Sequence, residues 1–239
     1  MSASSERVIL KISGELFGQN GDNIDFKKYD SVSRRLIKIK EDSRAQIAIV
    51  VGGGNIFRGR QANSQVDSTE ADNMGMLATV MNGIGLCEAL DRNGAEDSRL
   101  MTAIPIESMA EPYRKKVGRH HLKKDRIIII AGGLGIPGFS TDSAVAQYAQ
   151  ELRCRIILKA STVDGVYDSD PRKNSSAQKY SRISFDDVIA RKIQVMDLTA
   201  FTMCQRSNIP IFVFNISDLD KTPQAIAGDY SFGTIIRQD

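Results

Sequence analysis

Three stretches of the chain set glycine beside cations in a pattern suited to holding anions. They are Lys11-Ile12-Ser13-Gly14, then Gly52-Gly53-Gly54-Asn55 with Arg58 just beyond, and Gly132 to Gly138 followed by Ser140, Thr141, Asp142 and Ser143. Glycine lets backbone N–H groups approach an anion with no side chain in the way, and a helix that starts after such a turn aims partial positive charge at it. Lys159 adds a cation at the end of the apolar run Ile156 to Leu158. A buried ammonium without an anionic partner is costly, so Lys159 calls for one. Three convergent anion sites imply more than one phosphate. Asp142 reads two ways: it or a neighbouring hydroxyl caps the next helix, and it orients Lys11 or a phosphate-bound magnesium ion.

Other chemistries fit less well. Gly133, Gly135 and Gly138 satisfy G-x-G-x-x-G, but the dinucleotide fingerprint belongs in the first βα turn with an acidic residue ending the next strand. Here it follows the fourth strand, Pro137 interrupts it, and Lys159 replaces the acid. The Walker pattern and the glycine-rich loop of protein kinases are both absent from the sequence. Cys87, Cys154 and Cys204 form no Cys-x-x-Cys pair, which argues against zinc or a redox couple, and they read as small buried hydrophobes. A net charge of +3 gives no nucleic-acid footprint. The basic run Arg114 to Arg126 holds both histidines, His120 and His121, and spaces Tyr113, Val117 and Leu122 at near-helical intervals; it reads as the solvated face of an amphipathic helix.

The elements that must carry these residues follow from the apolar patterning. Hydrophobic residues make up 41% and charged residues 26% of the 239, enough for a sizeable core in one domain spanning 1–239. Val8 to Ile12, Ile47 to Val51, Leu100 to Ile104, Arg126 to Ile130 and Ile156 to Leu158 are nearly continuous hydrophobics, as strands covered on both faces require. Helical periods lie between them. Asp25 caps one helix with Phe26, Tyr29, Val32 and Leu36 on one side; Met74, Leu77, Met81 and Ile84 line the next, and Ala146, Ala149 and Leu152 a later one. Strand and helix alternate, which predicts an α/β fold with a largely parallel central sheet, and ligands there bind beyond the carboxyl ends of the strands. Asp168 to Ser184 reads as a long surface loop, Phe185 to Ile193 and Leu198 to Arg206 as helices, Ile209 to Phe214 and Thr234 to Ile236 as strands. No apolar run approaches bilayer length and no apolar segment follows Met1, so the expected location is cytoplasmic, with no membrane partner.

Several segments together carry a family resemblance. KISGE (11–15), VGGGNIFRG (51–59), DNMGMLATVMNG (72–83), FSTDS (139–143), LKASTVDGVYDSDP (158–171) and VMDLTAF (195–201) closely resemble the bacterial UMP kinases of the amino-acid-kinase superfamily, in order and over almost the whole chain. The resemblance implies a three-layer sandwich and transfer of the ATP γ-phosphoryl group to UMP, in a cytosolic homohexamer serving pyrimidine nucleotide synthesis. In this pattern the N-terminal part mainly makes UMP and subunit contacts and the C-terminal part mainly binds ATP. It implies ATP contacts at Lys11, Ile12, Ser13, Gly14, Gly54 and Arg58, with Ser161, Tyr167 and Asp170 holding the nucleoside. UMP falls to Gly53, Asp72, Leu134, Gly135, Ile136, Pro137, Gly138, Phe139, Ser140 and Thr141, and the catalytic set is Lys11, Arg58, Asp142 and Lys159. Magnesium comes with the ATP phosphates, so no residue is assigned as a metal ligand.

The chain also departs from the family pattern. Leu134 and Ile136 stand where many relatives have threonine and asparagine, so Ser140, Thr141 or backbone groups must read uracil. Cys87 and Asp91 stand where GTP-activated relatives carry an arginine and a histidine, while Arg99 remains. The alternative to a kinase is a non-catalytic nucleotide- or oxyanion-binding protein on the same fold, against which the retention of Lys11, Asp142 and Lys159 argues.

Overall fold

The computed structural model describes residues 6–18, 22–58, 66–171 and 173–238. Gly59, which closes the VGGGNIFRG stretch, lies outside them. In chain order the elements are β1 (Arg7–Ile12), α1 (Phe26–Ser43), β2 (Gln46–Val51), α2 (Ser68–Arg92), β3 (Arg99–Thr102), β4 (Glu111–Pro112), α3 (Lys115–Lys123), β5 (Ile128–Ala131) and α4 (Thr141–Leu152). Then come β6 (Ile156–Ser161), β7 (Val166–Tyr167), β8 (Lys179–Tyr180), β9 (Arg182–Ser184), α5 (Phe185–Ala190), α6 (Leu198–Ser207), β10 (Ile211–Asn215), α7 (Thr222–Ile226) and β11 (Gly233–Arg237). Among the described residues nine strands make one sheet in the order β4-β3-β5-β2-β1-β6-β10-β11-β9. Within it only the β10–β11 pair is antiparallel, so the sheet is largely parallel.

The continuous hydrophobic strands are explained by two apolar layers, one on each face of the sheet. Val8, Leu10 and Ile12 of β1 pack with Tyr29, Val32 and Leu36 of α1, while Ile9 packs with Val145 and Ala149 of α4. The same division holds in β6, where Ile156, Leu158 and Ala160 face the α1 side and Ile157 the α4 side. Side chains alternate along a strand. Lys11 and Lys159 therefore fall on the α4 face, and they are register partners across the parallel β1–β6 pair.

Five expectations are corrected. Met74, Leu77, Met81 and Ile84 of α2 are exposed, and the helix instead buries Ala71, Met76, Ala78, Thr79, Val80, Asn82, Gly83, Leu86, Ala89 and Leu90. Near its middle the inner face is packed too closely to admit a larger side chain: a Cβ on Gly83 would already meet Leu100 at 2.7 Å. Asp168 to Ser184 is not all loop, since Lys179–Tyr180 pairs with Val166–Tyr167 and Arg182–Ser184 joins β11. The helix expected to run to Ile193 stops at Ala190, and Lys192 adopts a left-handed φ of 53°. His121 is not part of a solvated face; it is buried, with Nε2 2.8 Å from Glu111 and Nδ1 3.1 Å from Arg126. Cys154 and Cys204 are buried as expected, whereas Cys87 is only partly covered.

Candidate active site

The first turn follows β1. A Cβ on Gly14 would lie 2.5 Å from Asn55 Oδ1, 2.7 Å from Gly54 N and 2.8 Å from Gly52 O. Only glycine lets the first and second turns touch, and Gly52 N donates to Ile12 O at 2.9 Å across the join. Arg58, expected beside the phosphates, donates from Nε to Gly54 O at 3.0 Å and from Nη2 to Glu15 at 2.6 Å on the exposed rim. The third turn takes positive φ at Gly132, Gly133, Gly135 and Gly138, a conformation that side chains rarely adopt. Tyr148 OH donates to Gly133 O at 2.6 Å and Gly138 N donates to Asp72 at 2.7 Å, fixing both ends of this turn.

Capping decides what Asp142 is free to do. The α4 N-terminus is capped by Ser140, whose Oγ accepts from Asp142 N at 2.9 Å and Ser143 N at 3.3 Å. Asp142 is thereby left for the lysines. Lys159 Nζ donates to both its oxygens at 2.7 Å, and Lys11 Nζ lies 3.3 Å from Oδ1. All three side chains are largely covered, at 12%, 16% and 7% exposure for Lys11, Asp142 and Lys159. Burial raises the Asp142 carboxyl, but Lys11 and Lys159 outweigh it and hold its pKa below the ordinary carboxylate value. Burial, helped by the Lys11 charge and opposed by Asp142, pushes Lys159 down to about 8. Two cations on adjacent strands are thus bridged by one carboxylate, an arrangement that can stabilise a further anion beside it.

A cavity lies to either side along the chain. One, of about 170 Å³, is lined by Gly53, Gly54, Asp72, Thr79, Ile136 and Thr141, with Phe139 and Ser140 at its wall; Thr141 leads directly into Asp142. The other, of about 310 Å³, includes Val163, Tyr167, Asp170, Lys192 and Val195, and its first lining residue, Val163, comes two places after β6 ends at Ser161. Leu134 packs against the α4 side of the core and Ile136 is exposed. Gly135 N donates to Gly132 O at 2.9 Å, within the turn that Pro137 completes. Ser140, besides capping α4, donates to Asp197. Its hydroxyl is fully committed, which leaves Thr141 and backbone groups as the free polar groups of this turn.

Comparison with known proteins places this arrangement. Residues 6–215 match the model of the amino acid kinase family. The chain belongs to that family. A uridylate kinase of Corynebacterium diphtheriae is 41% identical over 97% of this chain and 95% of its own length. The structure of a UMP kinase from Bacillus anthracis superposes with a TM-score of 0.93 at 36% identity, covering 98% of this chain and 96% of that one. A UMP kinase from Ureaplasma parvum gives 0.91 at 35% identity, over 99% and 100%.

Some residues of this amino acid kinase site escaped the sequence reading. Asp197 caps α6 through Ala200 N at 2.7 Å and also receives Ser140 and, at 3.0 Å, Ser143. An aspartate just before the helical pattern at Leu198 was the available signal. Thr79 and Asn82 reach the glycine turns from inside the fold, Asn82 donating to Gly52 O and to Asn55 of the second turn, and Glu15 holds Arg58. Cys87, Asp91 and Arg99 make local contacts: Ser98 donates to Asp91 at 2.6 Å with Cys87 Sγ 3.3 Å away, and Arg99 pairs with Asp97 at 2.9 Å.

Proposed function

We propose that the chain transfers the γ-phosphoryl group of MgATP to UMP, yielding ADP and UDP for pyrimidine nucleotide synthesis. The Lys11–Asp142–Lys159 cluster carries this reading, in a chain whose near relatives are named uridylate kinase and UMP kinase. The acceptor is a phosphate monoester whose second pKa is about 6, so it is already ionised at neutral pH and no general base is needed. Catalysis then rests on alignment and on neutralising the transferred group. Lys11 and Lys159 supply fixed charge there, and Asp142 keeps the two ammonium groups from separating. Arg58 joins them when phosphate replaces Glu15 as its partner.

The donor's phosphates lie along Ile12, Ser13, Gly14 and Gly54, and its nucleoside lies in the larger cavity at Tyr167 and Asp170, with Ser161 at the end of β6 beside it in sequence. UMP occupies the smaller cavity between Gly53, Asp72 and the turn from Leu134 to Thr141. Magnesium arrives with the nucleotide. Both Asp142 oxygens are engaged by lysines, and among the described residues no three His, Cys, Asp or Glu side chains converge, so the donor set suits an ion held by polyphosphate.

The working form in this reading is a cytoplasmic homohexamer. The stripe of Met74, Leu77, Met81 and Ile84, between 39% and 50% exposed on α2, supports assembly because it leaves an apolar face to be covered. Among the described residues no helix is long and apolar enough to cross a membrane. The deciding experiment measures ADP release by the purified chain with MgATP and a series of acceptors. Rapid turnover with UMP and much slower turnover with CMP and dUMP are expected; equal rates with all three overturn the assignment.

A further inference from the structure

The three glycine turns that surround the lysine cluster are not held by the sheet alone. Helix α2 crosses behind them and sends two polar side chains inward, one helical turn apart. Thr79 is 3% exposed; its Oγ1 donates to Met76 O and accepts from Gly132 N, both at 2.7 Å. Asn82 is fully buried. Its Nδ2 donates to Gly52 O and to Asn55 Oδ1, both at 2.7 Å, and its Oδ1 accepts from Tyr29 OH at 2.6 Å and Asn55 Nδ2 at 3.2 Å. The amide thus uses all the donors and acceptors it has. Asn55 in turn donates to Asn23 O at 2.6 Å, and its Oδ1 would lie 2.5 Å from a Cβ placed on Gly14. One helix face therefore reaches the third turn through Thr79, the second through Asn82, and the first through Asn82 and Asn55.

A packing role alone would not require this pattern, because an apolar residue fills a helix–sheet interface without the desolvation penalty of a buried amide. We propose that Thr79 and Asn82 are positioning residues for phosphoryl transfer. They set the spacing between the donor-side turns at Gly14 and Gly52 to Gly54 and the acceptor-side turn that begins at Gly132. Thr79 also lines the smaller cavity, but what it aligns is the Gly132 backbone. The inference rests on the UMP kinase reading above.

The test is steady-state kinetics on the full chain for Thr79→Val, Asn82→Ala, Thr79→Ser and Tyr29→Phe beside the unaltered protein, with thermal unfolding of each. Misplacement of reacting groups by about 1 Å costs roughly 10²-fold in rate. Thr79→Val and Asn82→Ala should therefore lose on that order in kcat while the KM values for MgATP and UMP stay within about threefold. Thr79→Ser, which keeps the hydroxyl, should restore kcat. Tyr29→Phe removes a bond to the same amide without touching a turn, so it should lower the unfolding midpoint and leave kcat near normal.

Loss of stability with kcat unchanged in both Thr79→Val and Asn82→Ala overturns the proposal, as does failure of both to fold, which assigns the pair to stability alone. A Tyr29→Phe enzyme as slow as Asn82→Ala overturns it too. An unaltered protein that releases no ADP with UMP refutes the kinase reading and the proposal with it; an active one beside active variants refutes the proposal only.

Discussion

Lys159 is 5% exposed on β6, and burial with the neighbouring Lys11 charge takes its ammonium from an ordinary 10.5 to about 8 against the pull of Asp142. The proposed mechanism needs this group charged, so in that reading its protonated share sets the alkaline side of the rate profile. With that pKa, about nine-tenths of the molecules carry the charge at pH 7 and about one-tenth at pH 9, so kcat/KM should fall roughly tenfold per pH unit above 8. The acid side should bend near the acceptor phosphate's second pKa of about 6. Stability should move the opposite way. Below pH 8 the lysine is protonated whether folded or unfolded, and the fold bears the full cost of burying it. Between pH 8 and 10.5 the folded chain has released the proton that the unfolded chain still holds, so this residue's contribution to stability rises with pH across that window. The assay is kcat/KM for UMP at saturating MgATP from about pH 5 to 10, paired with urea midpoints at each pH, for the unaltered protein and Lys159→Arg. Arginine stays charged throughout. The variant should be slower but lack the alkaline decline. A profile flat to pH 10, or a decline near 8 that survives in Lys159→Arg, refutes the reasoning.

Three further outcomes are expected. Asp142→Asn leaves two register-paired ammonium groups without their shared counter-charge, and should lower kcat by about 10² to 10³ and move the alkaline decline to lower pH, read from the same profiles. Gly14→Ala places a methyl 2.7 Å from Gly54 N and 2.8 Å from Gly52 O, both backbone atoms that cannot step aside; about 1–3 kcal/mol of stability and most of the turnover should be lost, measured by urea unfolding and ADP release. Leu77→Glu combined with Met81→Glu puts charge into the outward stripe of α2, and should reduce the assembly measured by analytical ultracentrifugation while each released chain stays folded by circular dichroism.

Much of the fold was legible because strands buried on both faces cannot alternate apolar with polar residues. Ile9, Leu10 and Ile12, or Ile128 to Ile130, announce their double burial directly. Sheet order was not legible, since it depends on which long-range pairings form. For α2 the periodicity located an apolar face correctly, but that face is exposed and a second face is the buried one. Alanine, threonine, asparagine and glycine carry little hydropathy, yet they are what a helix needs where backbone must approach backbone.

In the site, Lys159 stood out because an ammonium in an apolar strand needs a reason, and the structure supplies it in Asp142. Whether Asp142 or a hydroxyl capped α4 could not be read from the order of residues; Ser140 settles it by accepting two backbone N–H groups. The Arg58–Glu15 pair and the Thr79 and Asn82 contacts depend on side-chain reach across the fold, which no local pattern encodes.

The pairing of Lys11 with Lys159 joins residues separated by more than half the chain. Because neighbouring strand residues face opposite ways, a one-place slip between β1 and β6 would send one lysine into the wrong layer. The sheet's hydrogen-bond ladder therefore counts residues on behalf of the chemistry. It also sets an order in time: a nascent chain or a proteolytic fragment that ends before β6 holds Lys11 and even Asp142 but has no second lysine to pair across the carboxylate. In the proposed mechanism such a piece should be silent until the missing strand docks, and activity regained on mixing two fragments would report the closing of that single seam.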